Sequence, residues 1–278
     1  MTAPALTASD AQRRVDSVGF WFHSIDVGHG VTTPGRKTAA ALRAELESLR
    51  LPDLRGKTVL DIGAFDGFYS FEAEARGASS VTALDHYVWS MDLVEHDRHW
   101  KDSAARGEAP RPYQEMPYWR PTELPGKRGF DTAHELRTSR VRAVVDDFMT
   151  MDLSSLGTFD VVLFLGVLYH MQDPFESLRR VATVTRELAV IETHAVAIAG
   201  LDNRELLEFY ESNELNDDVS NWWGPNRKAL EGMCRAAGFR RVETVVGPPS
   251  ALQQRLRSAR RLGRNKISYY RAVVHAWK

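Results

Sequence analysis

This chain has little cysteine, no marked excess of either charge and no long apolar run. Cys234 is the single cysteine among 278 residues, which excludes a disulfide framework and a multi-cysteine metal site, and its helical surroundings predict a small buried side chain. Basic and acidic residues nearly balance, 36 against 37, so overall charge neither favours nor excludes a nucleic-acid partner. The longest apolar run, 161–169, is too short to span a bilayer, and residues 1–16 lack a signal-peptide core. We therefore expect a cytoplasmic protein without membrane contact.

What the sequence does contain is a glycine-bearing turn between a strand pattern and a helix pattern. An apolar, β-prone run ends in Asp61, Gly63 and Gly67, and a helical pattern follows at once. Glycines let the backbone approach a ligand closely, so this is a nucleotide-binding turn. A dinucleotide fingerprint would need glycines where Phe65 and Phe68 stand, and the Gly-Lys-Ser/Thr of a P-loop is absent.

The remaining pattern alternates strands and helices, which predicts an α/β fold with a mostly parallel sheet. A length of 278 residues with 43% hydrophobic content suits one such domain with an elaborated edge. The first strand leads into the turn, and the later strands are predicted at 80–85, 141–145, 159–165, 188–192, 240–246 and 268–277. Helices are predicted at 9–18, 36–50, 130–136, 174–186, 203–210 and 227–237.

Four segments together resemble one enzyme family. They are Trp-Phe-His-Ser-Ile-Asp from Trp21, Thr-Pro-Gly from Thr33, Leu-Asp-Ile-Gly-Ala-Phe-Asp-Gly-Phe from Leu60 and Gly-Val-Leu-Tyr-His from Gly166. This combination resembles class I S-adenosylmethionine (SAM) methyltransferases, in a group similar to the tRNA wobble-uridine (carboxy)methyltransferases. The resemblance covers about 20–246. It implies a Rossmann-like class I methyltransferase fold, with a seven-stranded, mostly parallel sheet whose last strand is antiparallel.

The resemblance also implies a division of the chain and a cofactor, SAM. We expect an N-terminal helical arm and flap at 1–57, then a methyltransferase domain at 58–278 with lid insertions at about 86–139 and 197–226. In the family the glycine turn holds the methionine part of SAM and an acid with an apolar ring meets the adenine, while an acid ending the second strand is placed for the ribose hydroxyls. The predicted cofactor-binding residues are Trp21, Arg36, Asp61, Gly63, Ala64, Phe65, Gly67, Asp85, His86, Asp146, Asp147, Phe148, Leu165 and Tyr169.

Two histidines and a glutamate are the predicted catalytic groups. His170 follows the fourth strand, at the sheet edge where α/β proteins bind ligands, while Glu192 and His194 lie two residues apart on the fifth strand and so point to one side. Histidine is suited to accept a proton near neutral pH. We expect His170 or His194 to act as base, with Glu192 orienting or assisting it. Structural roles for all three are the alternative.

Acids and indoles in the predicted lids favour a hydroxylated small-molecule acceptor. Indole rings stack on the apolar face of a sugar and carboxylates accept its hydroxyl protons. We therefore expect a SAM-dependent O-methyltransferase acting on a sugar or glycoside. The predicted substrate-binding residues are His23, Trp119, Glu214, Asp217, Asp218, Trp222 and Trp223. Glu192, Asp217 and Asp218 offer carboxylates to a divalent metal, but no spacing requires one.

Two alternative functions stay open. One is a tRNA-modifying enzyme that uses the basic cluster 255–266 as a phosphate-binding surface. In the wobble-uridine enzymes a tyrosine and distant basic side chains hold the extra carboxylate of a carboxylated SAM. Tyr169 is retained here, whereas Met171 and Gln172 stand where basic residues follow in that family, which favours ordinary SAM. The other alternative is a SAM-binding protein without turnover. The sequence leaves the oligomeric state open.

Overall fold

The computed structural model describes residues 6–106, 108, 111–250 and 267–278. The chain forms two compact units, which are described separately. The first comprises Met1–Glu47 and Asp53–Met151, and the second comprises Ser48–Pro52 and Asp152–Lys278. Among the described residues, no helix is both long and apolar enough to cross a membrane.

Eight helices and nine strands occur in the described part of the chain. The helices are α1 (Ala8–Asp16), α2 (Ala39–Leu49), α3 (Phe68–Ala75), α4 (Leu93–Arg106), α5 (Arg128–Leu136), α6 (Leu153–Leu156), α7 (Pro174–Val184) and α8 (Arg227–Ala236). The strands are β1 (Thr58–Ile62), β2 (Ser80–Asp85), β3 (Arg142–Val145), β4 (Phe159–Leu165), β5 (Thr185–Ile198), β6 (Leu207–Phe209), β7 (Trp223–Pro225), β8 (Arg241–Val246) and β9 (Ile267–Trp277). Short 3-10 turns cover Tyr113–Glu115, Pro125–Lys127 and Leu168–His170.

The first unit is built on three parallel strands. β2 lies between β1 and β3, with Ile62 paired to Leu84 and Asp85 paired to Val145. β1 is buried along four of its five residues, as expected of a strand covered on both faces. Both Asp61 and Asp85 therefore lie near the carboxyl edge of this sheet, where the turn into α3 begins.

The second unit combines a parallel pair with antiparallel strands. β4 and β5 run parallel and end their pairing at Leu165 and Glu192. β5 continues beyond that point to Ile198, paired antiparallel with β9 over its whole outer length, and β8 pairs antiparallel with β9. A separate two-stranded hairpin consists of β6 and β7. The extension of β5 carries His194 past the end of β4.

The predicted fold class is confirmed. The seven-stranded sheet has the order β3-β2-β1-β4-β5-β9-β8, and β9 is antiparallel to its neighbours as the resemblance implied. Cys234 is fully buried, and burial raises the pKa of its thiol to about 12. The helix predicted at 203–210 is wrong, because Leu207–Phe209 forms β6. Pairing with β7 supplies hydrogen bonds that override the local helical pattern.

Candidate functional site

The turn after β1 leaves an open face of backbone. Gly63 has a φ of 77° and is exposed, and Ala64 and Gly63 both donate to the Leu84 carbonyl, at 3.2 and 2.8 Å. Gly67, with a φ of 88°, precedes α3, and a Cβ there would lie 2.6 Å from the Phe71 ring. The turn therefore needs both glycines, and the exposed backbone at Gly63 fits the close approach of the methionine part of SAM.

Two buried carboxylates flank this turn. Asp61 accepts a hydrogen bond from the Ser70 hydroxyl at 2.6 Å, and Asp85 accepts from the backbone N–H groups of Phe65 at 2.9 Å and Val88 at 3.0 Å. Burial raises the pKa of each to about 6, against the opposing effect of these hydrogen bonds. Carboxylates held out of water in this way gain from a ligand that donates hydroxyl or ammonium hydrogens, as the ribose and amino group of SAM do. The chemistry of these residues thus fits SAM.

Phe65 lies between the two glycines of the turn and adopts a φ of 53°, in the left-handed region that favours glycine. Its backbone N–H donates to Asp85, its carbonyl accepts from the Trp89 indole at 2.6 Å, and its ring stacks on Phe22 at 4.8 Å. These contacts hold a side chain in a region of φ that L-residues rarely occupy.

The N-terminal segment is tied to the turn through Asp66, a residue that the sequence analysis did not assign. Its Oδ2 accepts from the backbone N–H groups of Phe22 at 3.0 Å and His23 at 2.8 Å, and its Oδ1 is bonded to His23 Nδ1. His23, predicted to contact the substrate, is buried and stacks on Phe68. The sequence feature that could have indicated this role is the position of Asp66 inside the glycine turn, directly before Gly67.

Other predicted residues of the first unit make local contacts. Trp21 is buried and donates from its indole to the Val15 carbonyl at 3.1 Å. Arg36 is ion-paired with Asp97 and lies over the Phe20 ring. His86 packs edge-on against Trp119, with ring centroids 5.8 Å apart.

The segment after β3 presents acids and a buried ring. Asp146 is exposed, and its carboxylate accepts from the Asp147 N–H at 2.8 Å. Asp147 accepts from the Met149 N–H at 2.9 Å, so it caps the following turn. Phe148 is buried. Of the two aspartates, Asp146 has the more exposed carboxylate for an adenine amine.

In the second unit, Tyr169 and Glu192 meet an arginine that the sequence analysis missed. The guanidinium of Arg271 lies over the Tyr169 ring, 4.9 Å from its centroid, and its Nε and Nη2 donate to the two oxygens of Glu192. A Cβ at Gly166, just after Leu165 and with a φ of 74°, would lie 3.5 Å from Arg271 Nη2. The sequence did not predict a role for Arg271 because β9 is remote in sequence from β4 and β5.

His194 begins a second polar cluster in the same unit. It is buried, and its Nε2 lies 2.8 Å from the Tyr210 hydroxyl, which donates to Glu208 at 2.8 Å. Burial and, secondly, the charge of Arg271 lower the pKa of His194 to about 4. Glu192 is thus the partner of Arg271, and the group that orients His194 is Tyr210.

His170 has its own partners. Its Nδ1 lies 3.1 Å from the Ser220 carbonyl and 2.9 Å from the Ser220 hydroxyl, and that hydroxyl donates to Asp218 at 2.6 Å. Burial lowers the pKa of His170, although Asp218 opposes the shift. Its ring is neutral near pH 7.

The acids and tryptophans of the second predicted lid make contacts within that part of the chain. Glu214 accepts from the Ser212 N–H at 2.8 Å, and Asp217 accepts from the Asn213 amide at 3.4 Å. The Trp223 ring is tilted by 48° to the Phe209 ring, with centroids 4.9 Å apart, and the Trp222 ring stacks on Phe209 with centroids 6.4 Å apart. Among the described residues, no group of three or more His, Cys, Asp or Glu side chains is arranged to hold a metal ion.

Comparison with known proteins identifies the family. Residues 35–244 match the family described as "Methyltransferase domain". By fold, the chain is similar to the N-terminal domain of EvdMO1, solved in the presence of SAH and D-fucose, with a TM-score of 0.60 and 19% identity over 99% of each chain. It also resembles Haemonchus contortus phospholethanolamine N-methyltransferase 2, with a TM-score of 0.52 and 14% identity over 98% of this chain and 57% of that one. These likenesses show the fold.

Several curated relatives share one function in their names. The chain is 26% identical to the tRNA U34 carboxymethyltransferase of Psychrobacter arcticus over 74% of this chain and 50% of that protein. It is 28% identical to the protein of the same name in Ectopseudomonas mendocina over 73% and 51%, and 23% identical to that of Methylococcus capsulatus over 78% and 56%. The chain therefore spans about half the length of these relatives.

The prediction of a sugar or glycoside O-methyltransferase is wrong. Relatives that match across most of the chain are named for tRNA U34, which supports the tRNA alternative instead. The physical reason for the error is that Glu214, Asp217 and Asp218 bond to their own segment, and Trp222 and Trp223 pack with Phe209. Residue types that suit a sugar site are here explained by local packing of the lid.

Proposed function

Because the chain belongs to the methyltransferase domain family and is a SAM-dependent methyltransferase, we propose that it modifies U34 of tRNA. The observation that carries this proposal is the shared name of the curated relatives, 23–28% identical over 69–78% of this chain. We propose that a carboxylated form of SAM is the preferred donor. When bound, the donor supplies an electrophilic carbon on a sulfonium.

Arg271 supports the choice of a carboxylated donor. The resemblance links the tyrosine at position 169 with distant basic side chains that hold the extra carboxylate, and Arg271 is a distant basic side chain lying over that tyrosine. A guanidinium has five N–H donors. Glu192 takes hydrogen bonds from Nε and Nη2, so Glu192 orients the group while further donors remain for a ligand carboxylate. The absence of basic residues at 171 and 172 is therefore compensated from β9.

The proposal also assigns roles to residues of each unit, taken separately. Asp85 and Asp61 are the acceptors for the ribose hydroxyls and the amino group, and Gly63 offers the exposed backbone beside them. Positioning of donor and acceptor for in-line displacement supplies most of the rate enhancement in such a transfer. His170 and His194, both neutral near pH 7 because of their burial, are the groups available to accept the proton that the uridine loses.

The first experiment compares donors and acceptors directly. Purified protein is incubated with cellular tRNA and either SAM or carboxylated SAM, each carrying a labelled transferable group, and the tRNA is digested to nucleosides for mass spectrometry. We expect label in the nucleoside from position 34, in tRNA species with U34 and not in those with C34. Label confined to small molecules, or found equally in species with C34, would overturn the proposal.

Arg271→Met tests the donor assignment. Since the methionine keeps much of the volume but removes the donors, we expect kcat/KM for carboxylated SAM to fall at least ~10-fold more than that for SAM, in line with about 1.5–3 kcal/mol for a hydrogen bond to a charged group. Arg241→Met is the matched control. Arg241 lies on β8, next to β9, and its guanidinium also lies over an aromatic ring, that of Trp277. Equal effects on the two donors would contradict the assignment.

A further inference from the structure

His194 lies where β5, β9 and the 3-10 turn that carries Tyr169 come together. It follows Glu192 on β5, opposite Arg271 on β9, and its ring lies 6.3 Å from that of Tyr169 and 5.4 Å from that of Tyr269. Ligands of open α/β sheets bind at the carboxyl ends of the parallel strands. The parallel pairing of β4 and β5 ends at Glu192, so His194 lies just beyond that edge.

The direction of each hydrogen bond in this cluster follows from the partners. Glu208 accepts from the hydroxyl of Tyr210 at 2.8 Å and from that of Tyr269 at 3.3 Å. An ionised carboxylate can only accept, so Tyr210 donates its single proton to Glu208. The same hydroxyl must then accept from Nε2 of His194, 2.8 Å away. His194 is therefore the Nε2–H tautomer, with a lone pair on Nδ1, which no hydrogen bond among the described residues engages.

We infer that His194, Tyr210 and Glu208 form a proton relay for the transfer reaction, with Tyr210 and Glu208 acting as positioning residues for His194. The inference rests on the proposed function, because it assigns the path of the proton that the uridine loses. In the transfer, the acceptor atom forms a bond to the carbon of the donor as the carbon–sulfur bond breaks, and its proton moves to His194 Nδ1. His194 gives its Nε2 proton to the Tyr210 oxygen, and Tyr210 gives its own to Glu208.

The surroundings of the cluster favour a relay over storage of the proton on His194. Burial and the charge of Arg271 lower the pKa of His194 to about 4, so an imidazolium is disfavoured there. Glu208 is partly exposed and can return the proton to water. Gly224 leaves room for these three hydrogen-bonded side chains, since a Cβ at that position would lie 2.6 Å from the Tyr210 hydroxyl.

His170 is less suited to the same task. Its Nδ1 hydrogen is shared between the hydroxyl and the carbonyl of Ser220, and a carbonyl cannot pass a proton onward. The Ser220 hydroxyl also donates to Asp218, so each histidine has a hydroxyl and a carboxylate beside it. The difference is that the Nδ1 hydrogen of His170 is divided between two acceptors, whereas Nε2 of His194 has one acceptor among the described residues, the Tyr210 hydroxyl.

Steady-state kinetics with tRNA test the relay. In Tyr210→Phe and Glu208→Gln we expect kcat to fall about 100-fold, the low end for loss of general base catalysis, with KM for donor and tRNA changed less than about 2-fold. Tyr270→Phe is the matched control, because the Tyr270 hydroxyl is buried without a hydrogen-bond partner among the described residues, and it should keep wild-type turnover. Unchanged kcat in both relay variants would overturn the inference.

A double variant separates a relay from independent structural effects. If Tyr210 acts through His194, His194→Ala combined with Tyr210→Phe should be no slower than His194→Ala alone, since residues that act as a unit are non-additive. Multiplication of the two losses would overturn the relay. Thermal unfolding of each variant shows whether a loss of turnover reflects loss of fold, and the partly exposed Glu208→Gln is the variant least prone to it.

A spectroscopic measurement decides the question without any substrate. Two-bond ¹H–¹⁵N spectra of the histidine rings report which nitrogen carries the proton. We expect His194 as the neutral Nε2–H tautomer at pH 7 in the wild type, and a shift toward the Nδ1–H form in Tyr210→Phe but not in Tyr270→Phe. An Nδ1–H tautomer in the wild type overturns the inference. Failure of the tRNA proposal would instead appear as absent label in tRNA, with this tautomer pattern intact.

Discussion

At the scale of single residues, Phe65 shows how a bulky side chain can be held in a backbone conformation that favours glycine. A left-handed conformation costs a non-glycine residue roughly 1–2 kcal/mol, and the φ of Phe65 is 53°. The hydrogen bonds to Asp85 and from Trp89, and the stack with Phe22, offset that cost. The turn therefore depends on packing from the N-terminal segment.

Two substitutions at this position separate conformation from packing. Phe65→Ala and Phe65→Gly both remove the ring, but only alanine keeps the cost of the positive φ. We expect Phe65→Gly to be about 1 kcal/mol more stable than Phe65→Ala, with both less stable than the wild type, as measured by denaturant unfolding. Equal stabilities of the two variants would mean that the backbone relaxes out of the left-handed region.

The proposed role of Asp61 and Asp85 in holding the cofactor predicts that cofactor binding depends on pH. Their pKa values, raised to about 6 by burial, mean that the folded protein without ligand binds protons that the unfolded chain has already released. Their contribution to stability is therefore greatest at low pH and is lost as pH rises from about 4 to 6. A ligand that requires the ionised carboxylate shows the opposite trend, because protonation below pH 6 competes with it.

The affinity for S-adenosylhomocysteine measures this competition. Between pH 7 and pH 5 we expect the affinity to fall about tenfold for each carboxylate that must be ionised. Isothermal titration calorimetry measures this affinity. Asp85→Asn should bind more weakly at pH 7 and should show a smaller dependence on pH, with Asp61 alone remaining. A variant that keeps the full wild-type slope would exclude Asp85 as an acceptor for the ligand.

At the scale of elements, the N-terminal segment and the glycine turn behave as one structure. Asp66 satisfies two backbone N–H groups of that segment and the ring of His23. Leaving a buried donor without a partner costs roughly 1–3 kcal/mol. Asp66→Ala should therefore release residues 20–37 from the turn before the rest of the first unit unfolds.

Hydrogen exchange detects such a local release. We expect the amides of Phe22 and His23 to exchange at least ~10-fold faster in Asp66→Ala, since about 1.4 kcal/mol corresponds to one factor of ten. Asp26→Ala is the control in the same segment, because Asp26 is exposed and its carboxylate accepts from the Gly28 N–H. Protection at Phe22 that survives in Asp66→Ala would show that aromatic stacking alone holds the segment.

Strand ends were predictable from the sequence, whereas partners across strands were not. Strands that are buried on both faces have nearly continuous apolar sequences. Such runs lie directly before Asp85 and shortly before Tyr169 and His170. Within the second unit, Arg271 lies far in sequence from Tyr169, and Tyr210 lies 16 residues beyond His194; the pairing of β5 with β9 and of β6 with β7 accompanies these contacts. The helix expected at 203–210 failed for the same reason, because hairpin pairing outweighs local propensity.

At the scale of the whole molecule, a net charge of −1 requires that any tRNA surface be made by local clusters of cations. The cluster at 255–266 holds six basic residues and no acid, and it lies outside the described residues. Each phosphate neutralised contributes about 0.7–0.9 to the slope of log K against log salt. Such a cluster can therefore provide most of the electrostatic attraction in a chain that is neutral overall.

Charge removal tests the cluster. For a triple variant with Arg257, Arg260 and Arg261 changed to Gln, we expect tRNA binding to weaken and the salt slope to fall by roughly 2–3, measured by fluorescence anisotropy. A control triple variant changes Arg13, Arg55 and Arg111, which are exposed and paired with neighbouring acids. Equal slopes in the two variants would remove the cluster from the tRNA surface.

The ion pair of Arg271 with Glu192 also bears on how the sheet reaches its correct alignment. Five successive residues of β9, from Ala272 to Ala276, are buried, so alternation of apolar and polar residues does little to reject a strand displaced by one position. Such a slip would point Arg271 to the opposite face and bring Tyr270 or Ala272 beside Glu192, leaving its carboxylate without a cation. The ion pair proposed to receive the donor therefore also favours the correct alignment of β9 on β5 during folding, and we expect replacement of Glu192 to lower the yield of soluble protein as well as turnover.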